Sequence, residues 1–486
     1  MKINRNFKEF RFRHRSKNNQ IIFTSKKVRD DSEVIDLIDN FLIDKNSFIF
    51  ESVEKGKIKG RYTIFGKNPD KIWEFNNKSS YLIKNNKKIK LNEDPKFLIE
   101  KIIESFKFKI PSNLPPIASI ISGYFSYDSI RYIEKIPNNC EDDLNIPDVR
   151  LMRPRTLIIY DNLKKKIFYI INVFRDEKIS NYQKKYLEIN TELFQHFNKF
   201  FSQSLKKNNS SKSKKIVVKS NTAKKKFLKM VEKAKKYIKL GDIFQVVLSQ
   251  RFEAKLTKSP LEIYKKLRIT NPSPFMFYFN FKDFQIIGAS PEILVRLRDN
   301  KITVRPIAGT RPRGKTLTQD KFYERDLLKD KKELSEHLML LDLGRNDAGK
   351  VSKINSVKVT ESFIIERYSH VMHIVSNVVG KYNKKFSKFK SLLAGFPAGT
   401  VSGAPKIRAM EIIDELEKTK RKVYAGGIGY FSANGEFDTC IALRTAVAKN
   451  KKFYVQAGAG IVADSKPINE YEETVNKAKA LINALK

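Results

Sequence analysis

The sequence predicts a mixed α/β fold of the α+β kind, on three observations. Short apolar runs separated by turn residues fill the first 200 positions, the pattern of strands and hairpins. An amphipathic helical stretch followed directly by an apolar strand pattern opens the second half. At 486 residues with 41% apolar and 11% aromatic content, the chain has material for real cores and length for two or three domains.

Taken in order, "SFIFESV", "GRYTIFG" and "RTLIIYDNLKKKIFYIINVF" read as strands, so residues 1–203 form a strand-rich N-terminal region. The basic, Ser/Asn-rich "SLKKNNSSKSKKIVVKSNTAKKK", 204–226, reads as a linker or exposed loop before a second domain, 227–486. In "TAKKKFLKMVEKAKKYIKLGDIFQVVLSQRF", Phe227, Met230, Val231 and Ala234 mark one helix face, with a stop near Gly241 and then a strand. "FPAGTVSGAPKIRAMEIIDELE" sets Gly399, Thr400, Ser402 and Gly403 before Pro405, which suits a helix start open to anions. "VYAGGIGYFSANGEFDTCIALRTAV" reads as a hairpin turning at Asn434-Gly435 and bringing up Arg444. "YVQAGAGIVADS" adds a strand through Gly458-Ala459-Gly460, where a backbone can approach a ligand closely.

Composition excludes several classes. The formal charge of +43 is spread along the whole chain, which points to a solvated basic surface rather than a nucleic-acid interface. No stretch has the ~18 to 20 apolar residues of a membrane span, and the start lacks a secretory h-region, so cytoplasm is the expected compartment. Cys140 and Cys440 have neither disulfide-framework nor zinc spacing, and Cys440 reads as a core residue.

"GTRPRGKT", 309–316, satisfies the phosphate-loop pattern, yet Pro312 removes a donor from the cradle and no apolar strand ending in Asp follows. Arg305, Arg311 and Arg313 around it suit a carboxylate-rich ligand instead. Two glutamate pairs, Glu333/Glu336 and Glu470/Glu473, each lie three apart on an expected helix; converging, they would call for a hard cation such as Mg²⁺. His337, His370 and His373 cluster nearby, with "YSHVMHIVS" able to aim one into a cleft.

"PIAGTRPRG", "SEHLMLLDLGRND", "HVMHIVS", "FPAGTVSGAPK", "GGIGYFSANGEFDTCIALRTA", "QAGAGIVADS" and "EYEETVNKAKAL" appear in this order, and the chain thereby resembles the chorismate-utilising enzymes, most of all the large subunits of anthranilate synthases. The resemblance implies a chorismate-binding fold, with large, mostly antiparallel sheets forming a β-sandwich core flanked by helices. It also implies a Mg²⁺-dependent lyase of tryptophan biosynthesis that converts chorismate and ammonia to anthranilate and pyruvate. An amine adds at ring C2 as the C4 hydroxyl leaves, and pyruvate is then eliminated. Carried over residue by residue, Glu336 and Glu473 hold the metal with Glu333 and Glu470 beside them. Gly309, Thr310, Tyr424, Arg444, Gly458, Ala459, Gly460 and Lys477 bind chorismate. Glu292 is the general acid at C4, where a poor leaving group calls for a carboxylic acid of raised pKa. His373 and Thr400 belong to the elimination.

Two positions separate members of the family. Water-adding relatives carry Lys where this chain has Gln245, and aminodeoxychorismate synthases, the nearest enzyme alternative, carry Lys where it has Ala308; an RNA-binding protein is the alternative from another class. "FIFESVEKGKIKGRYTIFG" and "NPSPFMFYF" resemble the family's site for tryptophan as feedback inhibitor, through Glu51, Ser52, Pro274, Phe275 and Met276, with Phe275 lacking the usual Tyr hydroxyl. Neither cysteine sits in a nucleophile turn, so a separate glutamine amidotransferase subunit is expected to supply ammonia in a heteromer.

Overall fold

The computed structural model describes residues 3–29, 31–54, 57–198, 216–368 and 371–486. Twenty-two of its strands join into one hydrogen-bonded sheet whose strand pairings are antiparallel, with helices on its flanks. The sheet runs through both halves of the chain: Ser47–Glu51 pairs with Phe275–Asn280, and Ile120–Phe125 with Gly427–Ser432. Among the described residues no helix is long and apolar enough to cross a membrane.

The continuous apolar run "KIFYIINV" becomes strand Lys166–Val173 because both its faces are buried. Phe168 and Ile170 point into a core built from strands and loops, with Phe48, Phe277, Phe279 and Ile286, whereas Ile167, Tyr169 and Ile171 point into a second core under helices. The first is the interior of a β-sandwich; the second takes residues from helices Ser32–Phe41, Pro260–Thr270 and Pro467–Ala484. A third core lies under helices Pro95–Ser105, Lys224–Lys239 and Lys406–Leu416.

Helix Lys224–Lys239 buries Phe227, Met230, Val231 and Ala234 as its spacing predicts, and strand Gln245–Lys255 follows. The expected hairpin forms from Gly427–Ser432 and Phe437–Ile441, with Gly435 at φ +93° in the turn. Of the segment 204–226, residues 204–215 lie outside the described ones, while Val218–Ser220 pairs with the strand Gln245–Lys255 and Lys224 already begins a helix. "GTRPRGKT" is no phosphate loop. Its first residues belong to strand Ile307–Pro312, and the Gly314 N–H is spent on Asp320 Oδ1 at 2.7 Å.

Candidate active site

Four elements bring the expected residues together. Strands Gln245–Lys255 and Lys452–Ile461 pair so that Val247 opposes Gly460 and Ser249 opposes Gly458. A Cβ on Gly458 would stand 2.7 Å from Tyr424 Oη and 2.9 Å from the Leu248 carbonyl, and one on Gly460 2.6 Å from Gln245 Nε2, so Tyr424 and Gln245 close over these two glycines. Helix Lys331–Gly349 carries Glu333 and Glu336; helix Pro467–Ala484 carries Glu470 and Glu473.

Glu292 lies between strands Gln285–Ser290 and Ile293–Arg298 and is 5% exposed. Burial pushes its carboxyl up to about 8, against the Thr400 hydroxyl, which donates to its two oxygens at 3.2 and 3.3 Å, and the Ile307 N–H. It is therefore a proton-bearing acid near neutral pH.

His373 is buried on strand Val371–Lys381. Strand Ile307–Pro312 bulges between Ala308 and Arg311, and Gly309, at φ +67°, turns its carbonyl to the imidazole. His373 Nδ1 lies 2.8 Å from Gly309 O and 3.1 Å from Thr310 Oγ1, so Nδ1 carries the proton and Nε2 is the unprotonated nitrogen. Burial first, then the charges of Arg444 and Lys477, hold the imidazole down at about 4. Tyr368 packs edge-on against it at 5.5 Å.

Arg444 adopts φ +46°, and its guanidinium is pushed down by burial; among the described residues it has no hydrogen-bonding or ion-pair partner. A partly buried cation without a counter-ion among the described residues is a seat for an anion. Lys477 Nζ donates to Gly458 O at 3.1 Å and pairs with Glu473 at 2.6 Å.

The acidic helices meet the same stretch. Glu336 Oε1 accepts from Gln245 Nε2 at 2.9 Å and would lie 3.8 Å from a Cβ on Gly460. Burial and then the neighbouring Glu336 raise Glu333; burial and, against a bond from Ser465, Glu473 raise Glu470. Among the described residues no three acidic, His or Cys side chains form a ready-made metal cluster. The donor set fits a hard cation that completes its shell with substrate oxygens and water, as Mg²⁺ does.

Other expectations are corrected. The three arginines of the loop are each paired with protein carboxylates: Arg305 with Glu361 and Glu366, Arg311 with Asp326 and Asp330, and Arg313 with Asp320, and of the three only Arg305 lines the cavity of Ser52 and Phe275. Glu51 lines the cavity of Ser52 and Pro274, and its carboxylate is held by Arg268 at 2.9 Å and Tyr264 at 2.5 Å. His337 is a core residue bonded through Nε2 to Ser376 Oγ at 2.7 Å, and His370 lies outside the described residues. Ser52, Pro274, Phe275 and Met276 do line one cavity of about 580 Å³, which also reaches Tyr368 and Pro291. Cys440 is buried and its thiol pushed up by burial.

Sequence reading missed Glu417 and Arg421, whose i,i+4 spacing in "ELEKTKRK" looks like a solvated face. The buried Arg421 instead reaches Val401 O at 2.7 Å, Val247 O at 2.6 Å and the Tyr424 ring at 5.6 Å, fixing both Tyr424 and the Thr400 turn.

The raised carboxyl of Glu292, the imidazole of His373 and the guanidinium of Arg444 all stand near Tyr368, while Glu336 reaches Gln245 beside Gly460 and Lys477 joins Glu473 to Gly458 on the same strand. The chain matches the chorismate binding enzyme family over residues 48–483 and belongs to it. It is 46% identical over 487 residues to anthranilate synthase component 1 of Cereibacter sphaeroides, covering 98% of this chain and 97% of that one. The same-named protein of Acetivibrio thermocellus is 45% identical, over 97% and 96%. The crystal structure of anthranilate synthase component I from Streptococcus pneumoniae superposes with a TM-score of 0.78 at 40% identity, covering 87% of this chain and 93% of that one. The fold extends to a menaquinone-specific isochorismate synthase of Escherichia coli, at TM-score 0.71 and 18% identity over 96% and 95%.

Proposed function

We propose that this chain is the large subunit of an anthranilate synthase, acting in the cytoplasm in tryptophan biosynthesis on chorismate and ammonia. The observation that carries the reading is Glu292, a buried carboxyl pushed up to about 8 and met by the Thr400 hydroxyl. Hydroxide is a poor leaving group, and Glu292 gives the C4 hydroxyl the proton it needs to depart as water. Arg444 and Lys477 hold the substrate carboxylates, while Gly309, Thr310, Tyr424 and the Gly458-Ala459-Gly460 backbone line the ring. Glu336 and Glu473, with Glu333 and Glu470 beside them, would hold Mg²⁺, whose chemistry when bound is to neutralise the ring carboxylate. In the elimination, Nε2 of His373 takes the C2 proton as the C3 enolpyruvyl bond breaks. The departing enolate gains a proton to become pyruvate, and the ring becomes aromatic. Thr400 orients Glu292.

The chain offers no nucleophilic thiol for glutamine hydrolysis, since Cys140 and Cys440 are both pushed up, chiefly by burial. A glutamine amidotransferase partner is therefore proposed as the ammonia source. Tryptophan is proposed as inhibitor in the cavity of Ser52, Pro274, Phe275 and Met276, whose lining sets aromatic side chains such as Phe50 and Tyr430 beside charged ones such as Glu54 and Arg298 and so suits an indole with an ionised amino-acid group.

The test is direct. Purified chain with chorismate, Mg²⁺ and an ammonium salt should develop the blue fluorescence of anthranilate, more weakly when tryptophan is added. A non-fluorescent aminated chorismate as sole product would point to the folate-pathway enzyme instead.

A further inference from the structure

Arg311 does more than neutralise one acid. Its Nε bonds Asp326 Oδ2 at 2.5 Å, Nη2 bonds Asp330 Oδ2 at 2.8 Å, and Nη1 bonds Thr310 O at 3.1 Å while standing 3.6 Å from Glu333 Oε1. Asp326 belongs to helix Leu317–Lys329. Asp330 joins that helix to Lys331–Gly349 and caps the latter, its Oδ1 accepting the N–H groups of Lys332 at 3.0 Å and Glu333 at 3.2 Å. Thr310 sits in the bulge whose Gly309 carbonyl and Thr310 hydroxyl hold His373. A planar guanidinium serves acceptors in several fixed directions at once; an ammonium is a point charge without that fork.

We propose that Arg311 is a positioning residue that couples the bulge holding His373 to the helix start carrying Glu333 and Glu336. This rests on the reading of the site as an anthranilate-forming centre. Without the fork, Thr310 O and the Asp330 cap lose their common anchor and the bulge relaxes. Glu292 keeps its bonds from Thr400, which lies on the separate turn Gly399–Val401. Amination depends on Glu292 and elimination on His373, so the two steps suffer unequally. The intermediate that has gained the amine but still carries its enolpyruvyl group then escapes.

Arg311→Met and Arg311→Lys should be incubated with chorismate, Mg²⁺ and ammonium, and the products separated by chromatography. Misplacing a reacting group by ~1 Å costs up to ~100-fold in rate, so the ratio of aminated intermediate to anthranilate should rise about tenfold in both variants. Melting temperature is recorded in parallel, and Arg311→Lys keeps the charge and stem, so the ratio can be read even where Arg311→Met is unstable. A ratio that stays at the wild-type value in the folded variants overturns the proposal, whatever happens to total turnover. Failure of the wild type to form anthranilate would instead sink the underlying functional reading.

Discussion

At the residue scale, environment sets each side chain's chemistry. Glu292 and Glu51 are both buried glutamates, yet Glu51 is ion-paired with Arg268, whereas Glu292 meets only a hydroxyl and an N–H and is pushed up to about 8. Because its folded value lies above the ordinary 4.5, the stability that Glu292 contributes is full below about pH 4.5 and lost as pH rises through about 8. Glu292→Gln should therefore lose less stability than wild type between pH 5 and 9 in denaturant titrations, while kcat falls by ~10²- to 10⁴-fold. In the wild type, kcat/KM should decline above about pH 8 as the acid deprotonates. Arg444 makes a complementary case. Its partly buried guanidinium has no partner among the described residues, so Arg444→Met should raise the KM for chorismate at least ~10-fold without lowering the melting temperature. A destabilised variant with unchanged KM would refute that assignment.

At the scale of elements, the two acidic helices are placed by what caps and underlies them. Asp330 caps the helix of Glu333 and Glu336, and that helix packs on strands Ile307–Pro312 and Val371–Lys381, which carry Thr310 and His373. Changing Glu336 or Glu473 to Gln should abolish turnover with the circular-dichroism spectrum retained; residual activity near the wild-type level in either variant would remove it from the metal set. The strand pair Ser47–Glu51 and Phe275–Asn280 builds the cavity wall, so Ser52→Phe should leave kcat close to wild type and weaken tryptophan inhibition by about tenfold or more. Inhibition curves with and without the substitution decide it.

Over the whole molecule, strands contributed by both halves share one sheet, and the sandwich core takes Phe48 and Ile159 from the first half and Phe277 and Ile286 from the second. Expressed without residues 1–203, the second half would expose the edges of Phe275–Asn280 and Gly427–Ser432 together with that apolar face. Such a fragment should aggregate or elute as a swollen species in size exclusion, and a well-folded monomeric fragment would contradict this account.

Much was legible locally. Period-3.6 spacing placed the buried face of Phe227, Met230, Val231 and Ala234, and Asn434-Gly435 marked its hairpin, because helix and turn geometry depend on neighbours a few positions apart. The ordered motifs also named Glu292, His373 and Arg444, and the fold sets all three near Tyr368. Which partner each charged side chain would meet was decided only by the tertiary structure. Arg305, Arg311 and Arg313 looked like ligand contacts in "VRPIAGTRPRG", yet chain closure delivers Glu361, Asp326 and Asp320 to them; Glu51 finds Arg268 217 positions away. Sequence spacing reports local torsion and burial, whereas a charge answers to whatever the completed fold sets within a few ångströms of it.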